Sequence, residues 1–261
     1  MSDIDLSEES KRQRQIITDL RNQYTTLFAT RDYMLSHEKG VLYVMYLNAV
    51  GQKQYELLCL RTDVSAIKMK VQLAQAYINK DEKPDTKKIK IEIDARLSDY
   101  YKQIADKAEE LKSVKEVKFV SDDESKEIKG LYQMLVKRLH PDLNPGEDTS
   151  DLFLKAQTAY KTSNLGVLRQ ITLSLDLNDN SILRKIEICS DWKSYETTLK
   201  KQIDSIRQDI QTLNEQFPFN YRDKLNDQEW ISSQKTLMEK EKEALIEEKE
   251  RYEKYYLLMT E

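Results

Sequence analysis

Apolar positions recur along this chain at helical intervals for most of its length. Between residues 10 and 36 they fall at Ile17, Leu20, Tyr24, Leu27 and Met34, with steps of three, four, three and seven. Those steps trace a heptad-like helix seam. A second helix is expected over residues 41–79, carrying Leu57, Val64, Ile67, Val71, Ala74 and Ile78. His37, beside Gly40, reads as a turn or cap residue between the two. Lys83-Pro84-Asp85 breaks the second helix, because proline drives the preceding residue out of the α region. The pattern then predicts a third helix over residues 85–117, with Ile93, Leu97, Tyr100, Ile104, Ala108 and Leu111 on one face. A short break between two long helices favours an antiparallel hairpin.

The same periodicity returns near the C-terminus. Trp192, Tyr195, Leu199, Ile203, Ile206, Ile210 and Leu213 step by three or four up to residue 216. Phe217-Pro218-Phe219-Asn220 interrupts the run. A last helix over residues 227–259 has a seam through Trp230, Leu237, Ala244, Tyr252, Tyr255 and Met259. The charge-dense stretch 239–249 reads as a solvated helix face with pairs four residues apart. These stripes read as helix packing, not ligand boxes. No tandem repeat of fixed period is visible, which argues against a solenoid.

Composition sharpens the fold class. Five glycines and four prolines in 261 residues supply too few breakers for a β-sandwich, a β-barrel or a Gly-rich nucleotide-binding fold. The expected class is all-α, with long coiled-coil-like helical hairpins flanking a short helical hairpin. Three consecutive regions are expected: residues 1–120, 121–174 and 175–261. With 42 basic and 46 acidic side chains the net charge is −4, which does not mark a nucleic-acid binder. Cys59 and Cys189 stand far apart and suggest neither a disulfide framework nor a metal site. No signal peptide or membrane span is legible, so a cytoplasmic protein is expected.

The middle region differs from its surroundings, since it holds two of the four prolines and its helices are short. Ile128, Leu131, Tyr132, Leu135 and Leu139 share one helix face. Lys126, Lys129, Gln133 and Lys137 share the opposite face, and Arg138 flanks the apolar stripe. Pro141 ends that helix at His140, and Asn144-Pro145-Gly146 adds turn chemistry. Asp148, Thr149 and Ser150 are competent N-caps for a following helix. That helix aligns Leu152, Phe153, Ala156, Ala159 and Tyr160. Two short helices with facing apolar stripes make an antiparallel hairpin, and its tip carries His140, Pro141 and Asp142.

This segment resembles the J domain of DnaJ-type co-chaperones. In that family a basic helix carries Tyr, then Leu three residues on, and ends in His-Pro-Asp, as at Tyr132, Leu135, Lys137, Arg138, His140, Pro141 and Asp142. Leu143 to Gly146 match the loop that follows. Phe153, Ala156, Ala159 and Tyr160 stand at the family's spacing in the next helix. The match covers under a fifth of the chain. The family's short first helix, with its Asp-Tyr-Tyr-like start, is missing from its usual place. Asp99-Tyr100-Tyr101 lies too far upstream, and the stand-in is the stretch Leu111 to Val117 with Phe119 and Val120.

The resemblance implies docking on a DnaK-type heat-shock chaperone and stimulation of its ATP hydrolysis, with no catalysis and no cofactor in this chain. Lys126, Lys129, Lys137 and Arg138 would meet an acidic patch on the partner and speed encounter. His140, Pro141 and Asp142 would give specificity, with Asp142 accepting from a partner arginine. No nucleophile–base set surrounds His140 in the sequence, so an enzyme is not expected. The rival reading is a coiled-coil scaffold whose short hairpin only packs. The long helices would recruit a client through residues such as Trp230, Tyr252 and Tyr255. They would pair either within the chain or across a homodimer.

Overall fold

The computed structural model describes residues 8–114, 122–145, 149–176 and 192–261. Features expected at Val117, Phe119, Val120, Gly146, Asp148 and Cys189 lie outside them. The protein is all-α, with no strand among the described residues. Helical hydrogen bonding runs from α1 (Glu8–Tyr33) through a π segment, Met34–Glu38, into α2 (Lys39–Tyr46). A second π segment, Leu47–Gly51, leads into α3 (Gln52–Ile78). The break expected near His37 and Gly40 is therefore absent. A helical glycine with no proline beyond it costs only about 1 kcal/mol against alanine, too little to stop a helix whose flanks are packed. Each π segment advances the register by a residue, and Met34, Leu42 and Leu47 all remain buried.

The break at residues 83–85 forms as the sequence predicts. Asp81 takes a left-handed φ of 57°. Asp85 then caps α4 (Thr86–Arg96) by accepting from the backbone N–H groups of Lys87 and Lys88, both at 3.1 Å. The helix expected to run unbroken through residues 85–117 is two helices. Leu97 leaves helical geometry between α4 and α5 (Ser98–Val114). This turns its side chain into a buried cluster with Ala74, Ile89 and Ile93. Tyr100, expected on the same seam, is exposed.

The remaining elements are α6 (Asp122–Leu139), α7 (Ser150–Lys161), α8 (Leu165–Asp176), α9 (Trp192–Glu215), the 3-10 turn Phe219–Tyr221, α10 (Arg222–Leu225) and α11 (Gln228–Thr260). The chain divides into two compact units. One spans residues 1–41 and 119–220, the other residues 42–118 and 221–261. Each unit joins early and late parts of the chain, so the units cut across the three consecutive regions read from the sequence. Periodicity along a helix shows which face is buried but carries no information on how far along the chain its partner lies.

In the second unit α3 packs along α11. Lys53 pairs with Glu239, Lys242 with Glu56 at 2.9 Å, and Lys249 with Asp63 at 2.7 Å. The sequence separation is 186 in all three bonds. A constant difference in residue number means that the two helices run parallel and in register. The charges of residues 239–249 thus reach across to α3, beyond the neighbour pairs expected along their own helix. The α11 seam is shifted as well. Ile231 is buried and Tyr256 and Met259 pack on the Ala74 cluster, while Leu237, Ala244 and Tyr255 face outward.

In the first unit α1 lies along α9, and α6, α7 and α8 pack together around a core that α1 and α9 complete. Arg21 reaches Tyr195 and Arg31 reaches Asp209, so α1 and α9 also run parallel. Ile17, Tyr24 and Phe28 of α1 join Leu199, Ile203 and Ile206 of α9 and the inner faces of α6 to α8. Each such aliphatic side chain contributes about 1.5–3 kcal/mol when fully buried. The long helices therefore find their partners within the chain.

Candidate functional site

The hairpin α6–α7 forms where the sequence places it. Ile128, Tyr132, Leu135, Leu139, Phe153, Ala156, Ala159 and Tyr160 are buried in one core, and Leu131 is partly buried against it. Val136, which the stripe did not include, is fully buried too. Helix α6 ends at Leu139, before Pro141. Its last carbonyls are then tied down by the loop. Backbone N–H groups of Leu143 and Asn144 donate to the His140 carbonyl, both at 3.0 Å. The Asn144 side chain adds bonds to the carbonyls of His140 (3.1 Å) and Lys137 (3.3 Å). Thr149 sits at the N-cap position of α7, but its hydroxyl donates to the Leu139 carbonyl at 2.7 Å instead of capping α7. That bond clamps the two ends of the loop together.

The tip presents its residues unequally. Pro141 and Pro145 are exposed and Asp142 is half-buried. His140 is only 8% exposed, and Leu143 is fully buried. The His140 ring sits in an aromatic box. Ring centroids of Phe28, Phe153 and Tyr24 lie 4.5, 4.8 and 5.1 Å away, all edge-on.

A closed chain of hydrogen bonds fixes the charge state of the tip. The Tyr24 hydroxyl donates to Asp142 Oδ2 at 2.8 Å. The Asp142 backbone N–H donates to His140 Nδ1 at 3.1 Å. With its own proton committed to Asp142, the Tyr24 oxygen accepts from His140 Nε2, 3.2 Å away. Nδ1 as acceptor and Nε2 as donor is the neutral imidazole, a tautomer assigned from its neighbours. Burial also pushes the His140 pKa below its ordinary value, against the opposing pull of Asp142 and Asp32. Burial and the bond to Asp142 raise the Tyr24 pKa far above that of a free phenol, so Tyr24 stays a donor.

Arg21, one turn before Tyr24, secures the other side of the loop. It is buried, donates to the Leu143 carbonyl, and reaches Asn144 Oδ1 at 3.2 Å and the Tyr195 hydroxyl at 3.4 Å. Further along α1, Asp32 accepts from the Tyr132 hydroxyl. Tyr33 lies under the Lys129 ammonium, 4.7 Å from ring centroid to nitrogen. These contacts pair Tyr24 with His140, Asp32 with Tyr132 and Tyr33 with Lys129, so α1 runs antiparallel to α6.

Of the basic residues read from the sequence, Lys126 and Lys137 are exposed and Arg138 is half-buried beside the stripe. Lys129 is drawn onto Tyr33, which leaves the outward stripe shorter than the sequence implies. The expected stand-in for a first J helix lies elsewhere: Leu111 and Val114 pack with Val44 and Leu47 in the second unit. Within the first unit it is α1 that covers the hairpin.

Sequence reasoning missed Arg21, Phe28 and Asp32, and took Tyr24 as plain packing. A signal was present. Arg21, Tyr24, Phe28 and Asp32 step by three and four along one face, and a seam that carries an arginine and an aspartate has polar work to do. Among the described residues no cluster of three His, Cys, Asp or Glu side chains is placed to hold a metal ion, and no helix is long and apolar enough to cross a membrane. Comparison with family models, with curated proteins and with solved structures found no match.

Proposed function

We propose that this protein is a J-domain co-chaperone of the cytoplasm that docks on a DnaK-type heat-shock chaperone and stimulates its ATP hydrolysis. The observation that carries the reading is the α6–α7 hairpin, which holds His140, Pro141 and Asp142 at its tip with Pro141 exposed. Lys126 and Lys137 stand outward on the helix leading to that tip. Exposed cations next to a shaped loop suit an acidic partner surface, with charge speeding encounter and the loop giving selectivity. The chemistry belongs to the partner. This chain acts by binding one of its conformations better than the other. The exposed end of α11, with Tyr255, Leu257 and Leu258, is the part that offers apolar surface to a client.

A scaffold reading draws on a different observation, the burial of His140 in an aromatic box. One assay separates the two. As a co-chaperone, the protein raises the steady-state ATPase rate of a matched DnaK-type chaperone, and His140→Gln removes the rise while helical content by circular dichroism is kept. If neither the natural chain nor a variant freed at Tyr24 stimulates, the scaffold reading stands.

A further inference from the structure

We infer that α1 is a built-in cap on the tip of the hairpin, with Tyr24 and Arg21 as its latch, and that the tip becomes available to a partner only when this latch opens. The inference rests on the co-chaperone reading and concerns the regulation of the same site.

The geometry of occupation is specific. A partner that recognises this loop has the imidazole of His140, the carboxylate of Asp142 and the loop carbonyls to work with. Each is already engaged by α1. His140 Nε2 and Asp142 Oδ2 share the one Tyr24 hydroxyl, at 3.2 and 2.8 Å. The Leu143 carbonyl and Asn144 Oδ1 are taken by the Arg21 guanidinium. The Phe28 ring lies against the His140 ring, with 4.5 Å between centroids. The same helix holds one cation of the basic stripe, since Lys129 rests on Tyr33. What remains for a visitor is Pro141, Pro145 and the outer edge of Asp142.

The latch is also of a kind that opens. The contacts on the loop are mostly polar and are replaceable by water or by a partner's own donors. An incoming arginine would substitute for Tyr24 at Asp142, and the released Tyr24 and Arg21 would be rehydrated. The hairpin itself does not depend on them, because Tyr132, Leu135, Phe153 and Tyr160 pack α6 on α7 from the inside. If the loop is open about one-tenth of the time, the apparent affinity for the partner falls about tenfold, and loosening the latch restores it.

The test uses the full chain with Tyr24→Phe, which keeps the ring and deletes only the hydroxyl, and the double variant Tyr24→Phe with Arg21→Gln. Two readouts are needed. The first is the rate at which diethyl pyrocarbonate modifies His140, followed by peptide mass spectrometry, with added N-acetylhistidine as the reference. The second is half-maximal stimulation of the matched chaperone's ATPase. The cap predicts that His140 reacts about tenfold faster in the variants and that half-maximal stimulation moves to a correspondingly lower concentration. Unchanged reactivity of His140 overturns the cap whatever the ATPase does. Faster reaction with unchanged or weakened stimulation shows that α1 only shapes the loop, which also overturns it while leaving the co-chaperone reading intact. Faster reaction with no stimulation by any of the proteins removes the co-chaperone reading, and the inference with it.

Discussion

Tyr132 and Tyr160 stack face to face, with 3.9 Å between ring centroids and 7° between ring planes, yet their hydroxyls meet opposite fates. Tyr132 donates to the buried carboxylate of Asp32. The Tyr160 hydroxyl is buried without a hydrogen-bond partner among the described residues. The two Tyr→Phe changes therefore differ although the rings are neighbours. Tyr132→Phe strips a donor from a buried carboxylate and should cost about 1–3 kcal/mol. Tyr160→Phe removes a polar group that gains nothing from folding and should be neutral or slightly stabilising. Urea unfolding followed by circular dichroism reads both. Equal losses in the two variants would show that the stack, and not the hydroxyl partners, controls stability here.

Gly130 and Gly51 form a second contrasting pair. A Cβ at Gly130, in the middle of α6, would meet nothing within 4 Å. Gly130→Ala should stabilise the first unit by about 0.5–1 kcal/mol, because it lowers the entropy of the unfolded chain at no steric cost. At Gly51 a Cβ would stand 3.0 Å from Leu111 Cδ2 and 3.1 Å from Leu47 Cδ2. Both neighbours are buried, so their room to yield is small, and a larger side chain has none. Gly51→Leu should lower the melting temperature through overpacking. A stabilising Gly51→Leu would mean that α5 does not approach the second π segment as described.

Acid should weaken the first unit before carboxylates titrate. Burial lowers the pKa of both His140 and His37 below 6.5. His140 faces Asp142 and Asp32, which favour its cation, and Arg31, which opposes it. The His37 ring donates to the Tyr160 carbonyl, while its Nε2 is buried without a hydrogen-bond partner among the described residues. The folded state therefore binds fewer protons than the unfolded state just below pH 6.5. Stability is fully present above 6.5 and is lost as pH falls through the folded pKa values. Thermal melts at pH 7.5 and 5.5 should show a drop in the natural chain and a smaller one in His140→Gln. Melts that coincide at the two pH values would contradict the neutral, buried histidine.

Local features of this fold were legible in the sequence and long-range ones were not. Pro141 stops α6 where expected, because a proline acts on its immediate neighbours, and the break expected around Pro84 is present although α3 already ends at Ile78. The inner faces of α6 and α7 were readable from Ile128 to Tyr160, since two short amphipathic helices joined by a tight loop have little choice of partner. Tyr24 shows the limit. Its position on a seam was visible, but its bond partners lie more than a hundred residues away, and nothing in the periodicity points to them. The same holds for Leu97, where burial against Ala74 overrides the continuous helical pattern around it. Leu111, read as part of a stand-in first helix, packs with Val44 and Leu47, partners more than sixty residues earlier that its own periodicity does not name.

The parallel register of α3 and α11 can be tested through its charges. Glu56 and Lys242 bond at 2.9 Å, and each shifts the other in the direction of its charged form: the bond lowers the Glu56 pKa and raises that of Lys242. Glu239 lies one turn before Lys242 and pairs with Lys53. Lys242→Glu would place a third carboxylate beside Glu56 and Glu239, and repulsion should lower the melting temperature. Glu56→Lys alone would set a new cation against Lys242 and do the same. Combined, the two substitutions restore an opposite-charge pair at the same two positions and should recover most of the loss. The recovery should shrink in high salt, because these side chains are partly solvated and their attraction is screened. Only neighbours across the helix pair rescue each other in this way. A control swap of Glu56→Lys with Lys249→Glu, about two helical turns out of register, should give no recovery, since Lys249 faces Asp63 at 2.7 Å. Recovery by the control but not by the matched swap would demand a different register for the two helices.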